Sequence, residues 1–154
     1  MSRPTIFFIV LSVIFFGFLS TALAAAIPNA NAEVVALGRT FQELRKIKGH
    51  FDGGEYNADV DGFNGEKHQV MLKLADAFGK PGVLSVDITS VMGPSDEIPA
   101  EILAELKRSA PQVTPPTNFQ YILYKWRGYH DYLWFRINMR TKKTQMSAWY
   151  AALE

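Results

Sequence analysis

The fold is decided by residues 119–150, FQYILYKWRGYHDYLWFRINMRTKKTQMSAWY. Apolar and aromatic side chains alternate with other residues in three runs, Phe119 to Trp126, Asp131 to Arg140 and Thr144 to Tyr150. The connections between these runs are short, and short connections join antiparallel neighbours. The stretch therefore predicts a small antiparallel meander of three to four strands.

The two turns predict a register for this meander. Placing Trp126 opposite Asp131 closes the first hairpin, and placing Met139 opposite Thr144 closes the second. Both hairpins then agree on one core face of the sheet. Its predicted members are Ile122, Tyr124, Leu133, Phe135, Ile137, Met146 and Ala148.

The opposite face of the predicted sheet is unusually rich in large side chains. It carries Tyr121, Leu123, Lys125, Tyr132, Trp134, Arg136, Ser147 and Trp149. One interpretation is that another element covers these rings, either the N-terminal helix or the proline-rich linker. The other is an exposed binding platform, because Trp, Tyr and Arg dominate interface hot spots. The predicted binding residues are then Tyr121, Tyr132, Trp134, Arg136 and Trp149.

Helical periodicity dominates the chain before the strands. Apolar residues three and four positions apart predict a helix from Glu33 to Lys48 and a second around Val70 to Phe78. Ser85 is predicted to cap a third helix, and Pro99 is typical of the first residue of a fourth. The prolines between Ser109 and Thr117 predict a linker. The expected class is α+β, with the helices packed on one face of the sheet.

The N-terminal residues have the pattern of a secretory signal peptide. Arg3 precedes an apolar run from Ile6 to Leu19, and Ala22-Leu23-Ala24 is typical of a cleavage site. The expected organisation is a signal peptide over 1–24, a flexible segment over 25–32 and one α+β domain over 33–154. The expected location is therefore outside the cell. The alternative is an uncleaved membrane anchor, since the run can be extended to bilayer length.

Composition excludes some classes of partner. Removing residues 1–24 takes away Arg3 and leaves 15 basic against 15 acidic residues. Nucleic acids and anionic membrane surfaces attract basic proteins, so neither is expected as a partner of the mature chain. The chain has no cysteine, so packing alone must stabilise the domain. No pattern of a cofactor-binding site is present, and no cofactor is expected.

Two resemblances carry little chemistry. The segment Ser85 to Tyr150, with Gly93-Pro94-Ser95-Asp96 before the aromatic strands, resembles one module of the β-lactamase-inhibitor-like and outer-membrane-assembly lipoprotein group. The patterns GHFDGG, DVDGF, GEKH, GPSDE and WRGYHD together resemble a group of small secreted fungal proteins of unassigned function. The second resemblance implies a secreted eukaryotic protein and supplies no catalytic residue.

One loop imitates part of a calcium site. Asn57, Asp59 and Asp61 alternate before Gly62, as oxygen ligands do at the start of a calcium-binding loop. The twelfth position, which normally supplies a bidentate Glu, is His68. We therefore expect no metal site in this loop. Under the alternative hypothesis, these three residues are metal ligands. The competing interpretation is an acidic turn whose side chains accept backbone amides.

Acid-base chemistry or transition-metal ligation is suggested most by His50, Asp52, His68, His130 and Asp131, of which all but His68 form the alternative catalytic set. If the glycine-rich loop folds over the first hairpin turn, His50 and Asp52 come close to His130 and Asp131. Such a site would suit a small cone-shaped α+β enzyme resembling the nuclear-transport-factor-2-like cyclases and dehydratases. The preferred hypothesis is a secreted, non-enzymatic binding protein, effector-like or inhibitor-like, that uses the aromatic face. Its expected partner is an extracellular protein or an apolar small ligand.

Overall fold

The computed structural model of the protein describes residues 32–109, 111 and 118–151. The predicted signal peptide over 1–24 lies outside the described residues, as does the predicted flexible segment apart from Ala32. Among the described residues, no helix has the length and apolar character needed to cross a bilayer.

The described elements are helices followed by strands, which confirms the α+β class. The helices are α1 (Ala32–Leu44), α2 (Ala58–Asp61), α3 (Glu66–Phe78), α4 (Ser85–Met92) and α5 (Ala100–Ser109), with a 3₁₀ turn at His50–Asp52. The strands are β1 (Phe119–Arg127), β2 (Asp131–Asn138) and β3 (Thr144–Ala151). They form an antiparallel sheet in the order β1-β2-β3, which is the predicted meander.

Helix α1 ends at Leu44, four residues before the predicted end at Lys48. Beyond Leu44 the chain tightens, because the amides of Lys46 and Ile47 bond to carbonyls only three residues back. Ile47, which the periodicity places on the buried stripe, is exposed. The unwound residues 45–48 are thereby free to form one wall of a pocket described below.

The first hairpin has the predicted register over most of its length. Ile122 pairs with Phe135 and Tyr124 pairs with Leu133. At the turn, however, Arg127 pairs with Asp131, and Trp126 is an extra residue with no opposite partner. Trp126 therefore forms a β-bulge, which bends β1 next to the turn.

The predicted register of the second hairpin is wrong by two residues at Thr144 and by one residue from Met146 onward. Thr144 pairs with Ile137 instead of Met139, and Gln145 is an extra residue before Met146 pairs with Arg136. A shift of one residue moves every following side chain to the other face of a strand. Met146 and Ala148 therefore leave the predicted core face, and Trp149 joins that face.

Both faces of the sheet are covered, whereas the sequence predicts helices on one face only. Helices α1, α3 and α4 pack on the first face through buried side chains that include Phe41, Met71 and Ile88. Helix α5 packs on the second face, where Leu106 is buried and Ile102 is half-buried. The amphipathic stripe of α5 requires an apolar surface, and the aromatic face supplies it.

The outer edge of β1 is protected by the segment that follows α4. The amide of Asp96 donates to the carbonyl of Leu123 at 2.9 Å, and Asp96 Oδ2 accepts from the amide of Lys125 at 2.8 Å. An edge strand with unpaired amides invites aggregation, and this contact removes part of that risk. It also fixes the carboxylate of Asp96 beside the side chain of Lys125.

Candidate functional site

The predicted aromatic binding platform is not exposed. Tyr121, Tyr132 and Trp134 are all buried beneath α5, and Trp134 is only 6% exposed. Tyr121 also donates its hydroxyl to the carbonyl of Leu106 in α5. The interpretation as an exposed platform is therefore wrong, and the alternative of a covering element is right. Among the described residues the cover is α5, and Pro111 of the predicted linker also contacts this face through Arg136, while residues 112–117 of that linker lie outside the described residues.

Arg136 and Trp149, the other predicted platform residues, have structural contacts of their own. Arg136 is buried, donates to the carbonyl of Pro111 at 2.8 Å and lies over the ring of Phe119. Trp149 lies on the opposite face of the sheet from Trp134, because of the register shift in the second hairpin. The predicted group of five therefore does not share one surface.

Trp149 instead belongs to an aromatic cluster around Trp126 and His68. The ring of His68 is stacked on that of Trp126, with centroids 4.0 Å apart and an interplanar angle of 8°. His68 Nδ1 accepts a hydrogen bond from the amide of Asn64, so this nitrogen carries no proton. Burial lowers the pKa of His68, and the positive charge of Arg127 lowers it further, against the opposing effect of Asp131. His68 is therefore a buried structural residue.

The glycine-rich loop does fold over the first hairpin turn, as proposed for the acid-base residues. The ring of Phe51 lies between those of His50 and His130, at centroid distances of 5.4 and 5.2 Å. Gly128, with φ of +54°, lies so close to the carbonyl of Phe51 that a side chain at this position would collide with it. The four predicted residues are thus brought into one region of the molecule.

Their side chains have separate contacts within that region. His130 Nδ1 lies 3.1 Å from Asp131 Oδ2, and Asp131 is fully buried in an ion pair with Arg127 at 2.5 Å. Asp52 points elsewhere and lies 3.6 Å from the ammonium of Lys125. The described contacts therefore form one His-Asp pair, while Asp52 belongs to a different site.

The calcium-like residues hold the loop together. Asn57 is the N-cap of α2 and accepts the amide of Asp59. Asp61 is buried, and its Oδ2 accepts the amides of His50 and Asn57 at 2.9 and 2.8 Å. Asp59 is exposed. The backbone-capping interpretation thus matches Asn57 and Asp61, and the described residues contain no cluster of three or more potential metal ligands.

A pocket of about 350 Å³ lies at the same end of the molecule. Five cationic side chains and two carboxylates line it, together with one apolar side chain. These are Arg45, Lys46, Lys48, Lys67, Lys125, Asp52, Asp96 and Ile47. We call this site the charged pocket. Its lining has a net positive charge, whereas the protein as a whole is nearly neutral.

Arg45 and Asp96 form a rigid wall of the charged pocket. Arg45 Nη2 lies 2.7 Å from Asp96 Oδ1, while Nη1 donates to the carbonyls of Met92 and Pro94. The guanidinium also lies over the ring of Tyr124, 5.4 Å from its centroid. These four contacts hold the guanidinium of Arg45 in one position.

Lys125 forms the side of the charged pocket nearest the hairpin turn. Its ammonium lies 3.6 Å from Asp52 and 4.9 Å from the ring centroid of Tyr129. Tyr129 and Ile47 are partly exposed close to this pocket. The surroundings therefore offer apolar surface as well as charge.

Lys67 is the most deeply buried residue of the charged pocket, with 3% of its surface exposed. Its Nζ donates to the carbonyl of Trp126 at 2.7 Å. Trp126 is the bulged residue of β1, so Lys67 satisfies a carbonyl next to the disrupted ladder. An ammonium has three hydrogens to donate, and the described residues provide an acceptor for one of them.

The protonation of Lys67 responds to these surroundings. Burial lowers its pKa, because desolvation penalises the charged form. The carboxylates of Asp52 and Asp96 oppose this effect, whereas Arg45 and Lys125 reinforce it. The charged form of Lys67 is therefore less favoured in this pocket than in water.

The charged pocket was not predicted from the sequence, although one signal is present there. Lys67 occupies the same helical stripe as the buried residues Met71, Leu74 and Phe78 of α3. A lysine on a buried stripe is rarely without a partner. This position was therefore the one local indication of a buried charge.

Comparison of the chain with protein-family models, curated proteins and solved structures finds no match.

Proposed function

We propose that the chain is a secreted, non-enzymatic binding protein that holds a small anionic ligand in the charged pocket. The observation that carries this proposal is the ammonium of Lys67, buried within a predominantly cationic pocket and hydrogen-bonded to a single protein acceptor. A carboxylate or phosphate oxygen supplies both the missing acceptor and the missing charge.

The size of the charged pocket suits a small molecule. Ligand pockets are typically about 300–1,000 Å³, and the charged pocket is at the lower end of this range. The fixed guanidinium of Arg45 and the ammonium of Lys67 are already held in place by protein contacts. Preorganised groups lose little entropy on binding, which favours affinity. The apolar ligand suggested by the aromatic face has no accessible surface there, because α5 covers it.

The competing enzyme class receives less support from the geometry. That class requires a histidine directed into a cavity, next to its acidic partner. His130 does pair with Asp131, but neither His130 nor His50 lines the charged pocket. The only member of the predicted acid-base group at this pocket is Asp52. We therefore propose binding instead of catalysis.

Calorimetric titration with inorganic phosphate and with citrate, at low ionic strength, tests the proposal. Lys67→Gln should weaken binding about tenfold or more, because a charge-assisted hydrogen bond is lost. Lys73→Gln is the matched control, since Lys73 is an exposed lysine on the same helix and does not line the charged pocket. Its affinity should equal that of the wild type.

Lys67 also bonds to the β1 bulge, so a second variant separates binding from folding. Lys48→Gln removes an exposed cation of the charged pocket without breaking any described hydrogen bond, and it should weaken binding several-fold. Thermal melts of all variants establish that they are folded. Equal affinities for wild type, Lys67→Gln and Lys48→Gln would remove the case for this pocket.

Secretion is a separate part of the proposal, supported by the sequence pattern of residues 1–24. The test is expression in a eukaryotic host, followed by N-terminal sequencing of the protein recovered from the medium. The expected N-terminus is near Ala25 or Glu33. Recovery of the intact chain in the membrane fraction would favour the anchored alternative.

A further inference from the structure

A second pocket lies on a part of the fold that the proposed function does not use. It occupies about 370 Å³ between the end of α3, the start of α4 and the segment that joins them. Six of its eight lining residues have no polar side chain, and it shares no lining residue with the charged pocket. The lining residues are Ala77, Phe78, Pro81, Gly82, Val83, Leu84, Asp87 and Lys143. We call it the α3–α4 pocket.

Asp87 is the unusual residue of the α3–α4 pocket. The residue is 5% exposed, and no described residue forms a hydrogen bond or ion pair with its carboxylate, whose oxygens are not fully buried and face the open volume of the pocket. Lys143, which is exposed, lines the same pocket but forms no ion pair with Asp87. Carboxylates of nearly buried residues are normally paired or hydrogen-bonded, so the carboxylate of Asp87 is unusual in depending on the pocket for its contact with solvent.

The position of Asp87 explains how the fold tolerates this charge. Asp87 lies in the first turn of α4, where the helix dipole favours a negative charge. The same arrangement keeps the carboxylate beside apolar walls from Phe78, Val83 and Leu84. A group held in this way is available to a cation that enters the pocket.

The joining segment gives the pocket a fixed outer wall. The amide of Gly82 donates to the carbonyl of Thr144 at 2.8 Å, and the amide of Thr144 donates to the carbonyl of Val83 at 2.7 Å. Leu84 also forms a β-bridge with Lys143. The loop is thus tied to the start of β3, so the pocket is formed before any ligand arrives.

We infer that the α3–α4 pocket binds a small organic ammonium ion with an apolar body, in which the ammonium pairs with Asp87. The apolar walls favour the body of such a ligand, and the carboxylate of Asp87 selects its charge. This site is independent of the charged pocket, which selects the opposite charge.

The test is an NMR titration of the protein with 2-phenylethylammonium, and with 2-phenylethanol as the neutral analogue of the same shape. The amide signals of Val83, Leu84 and Asp87 should shift and saturate with the ammonium compound. The alcohol should bind at least tenfold more weakly. Equal binding of the two compounds would overturn the inference, because the carboxylate would then contribute no selectivity.

Two variants test whether Asp87 causes the preference for the ammonium compound over the alcohol. Asp87→Asn keeps the shape of the side chain, and it should weaken ammonium binding at least tenfold while the alcohol is unaffected. Asp76→Asn is the matched control, because Asp76 is an exposed aspartate of α3 that does not line the α3–α4 pocket. Retained ammonium binding in Asp87→Asn would overturn the inference.

A third variant tests the competing explanation that Lys143 is the true partner of Asp87. Lys143→Gln should leave the melting temperature unchanged and should preserve or strengthen ammonium binding, since a nearby cation is removed. If Lys143→Gln instead lowers the melting temperature by several degrees, the carboxylate already has a protein partner and the inference fails.

Discussion

The ammonium nitrogen of Lys67 lies 2.7 Å from the carbonyl oxygen of Trp126, the residue that forms the bulge in β1. This contact joins helix α3 to the sheet at the point where the ladder is interrupted. It also places a nearly buried positive charge within the charged pocket. One residue therefore contributes both to the fold and to the proposed binding site.

Phe135→Ala should be among the most damaging substitutions in the sheet. Phe135 is fully buried at the centre of β2, opposite Ile122 on one side and Ser147 on the other. Truncation leaves a cavity and should cost about 3–5 kcal/mol of unfolding free energy. Chemical denaturation measures this cost. Tyr56→Ala, at a residue that is 66% exposed, is the control and should change the midpoint little.

Trp134→Ala should also destabilise the domain strongly, by about 3–5 kcal/mol, because its ring is buried between β2 and α5. An exposed platform would instead tolerate this change without loss of stability. Trp134→Phe retains most of the apolar contact and should lose less. A denaturation midpoint for Trp134→Ala equal to that of the wild type would mean that α5 does not cover this face in solution.

Stability should fall in mildly acidic solution because of His68. Burial lowers the pKa of this residue in the folded state, so below about pH 6.5 the unfolded chain binds a proton more readily than the folded protein. The loss continues until the pH reaches the lower folded pKa. His68→Gln should remove this part of the pH dependence in denaturation series between pH 8 and 5, whereas the exposed His50→Gln should retain it. Parallel profiles for wild type and His68→Gln would show that His68 is not the responsible group.

Asp61 and Asp59 should differ sharply in their effect on stability, although both belong to the calcium-like pattern. Asp61→Ala leaves the amides of His50 and Asn57 without their acceptor and should cost about 2 kcal/mol. Asp59→Ala, at an exposed residue, should cost less than about 0.5 kcal/mol. Thermal melts with and without calcium measure both effects. A large stabilisation by calcium that Asp59→Ala abolishes would restore the metal-binding hypothesis.

The sequence predicts the elements well because their signals are local. Alternating aromatic residues identify the strands, and Ser85, Gly93 and Pro99 mark helix ends that the structure contains. The register of the second hairpin is harder, because its turn uses Lys142 at φ of +58° where glycine or asparagine is the usual signal. The bulge at Gln145 has no sequence signal of its own.

The charged pocket is not predictable from any local pattern. Its walls come from the end of α1, the 3₁₀ turn, α3, the segment after α4 and β1. These segments meet only through tertiary packing, so the spacing of Arg45, Asp96 and Lys125 along the chain carries no information about their distance. The packing of α5 on the aromatic face is also not predictable from a local pattern. The sequence shows the apolar stripe of α5, but it does not show which surface this stripe packs against.

The most direct test of the central claim is an NMR titration of the side-chain carbon next to the Lys67 ammonium, followed through pH with and without inorganic phosphate. In the free protein, the pKa of Lys67 should lie below the ordinary value for lysine, because the residue is buried. Bound phosphate favours the charged form, so it should raise this pKa, by about 1 for each tenfold preference for the ammonium. Phosphate should leave the signal of Lys73, which does not line the charged pocket, unchanged. A pKa of Lys67 that phosphate leaves unchanged would contradict the proposal that this ammonium holds an anion.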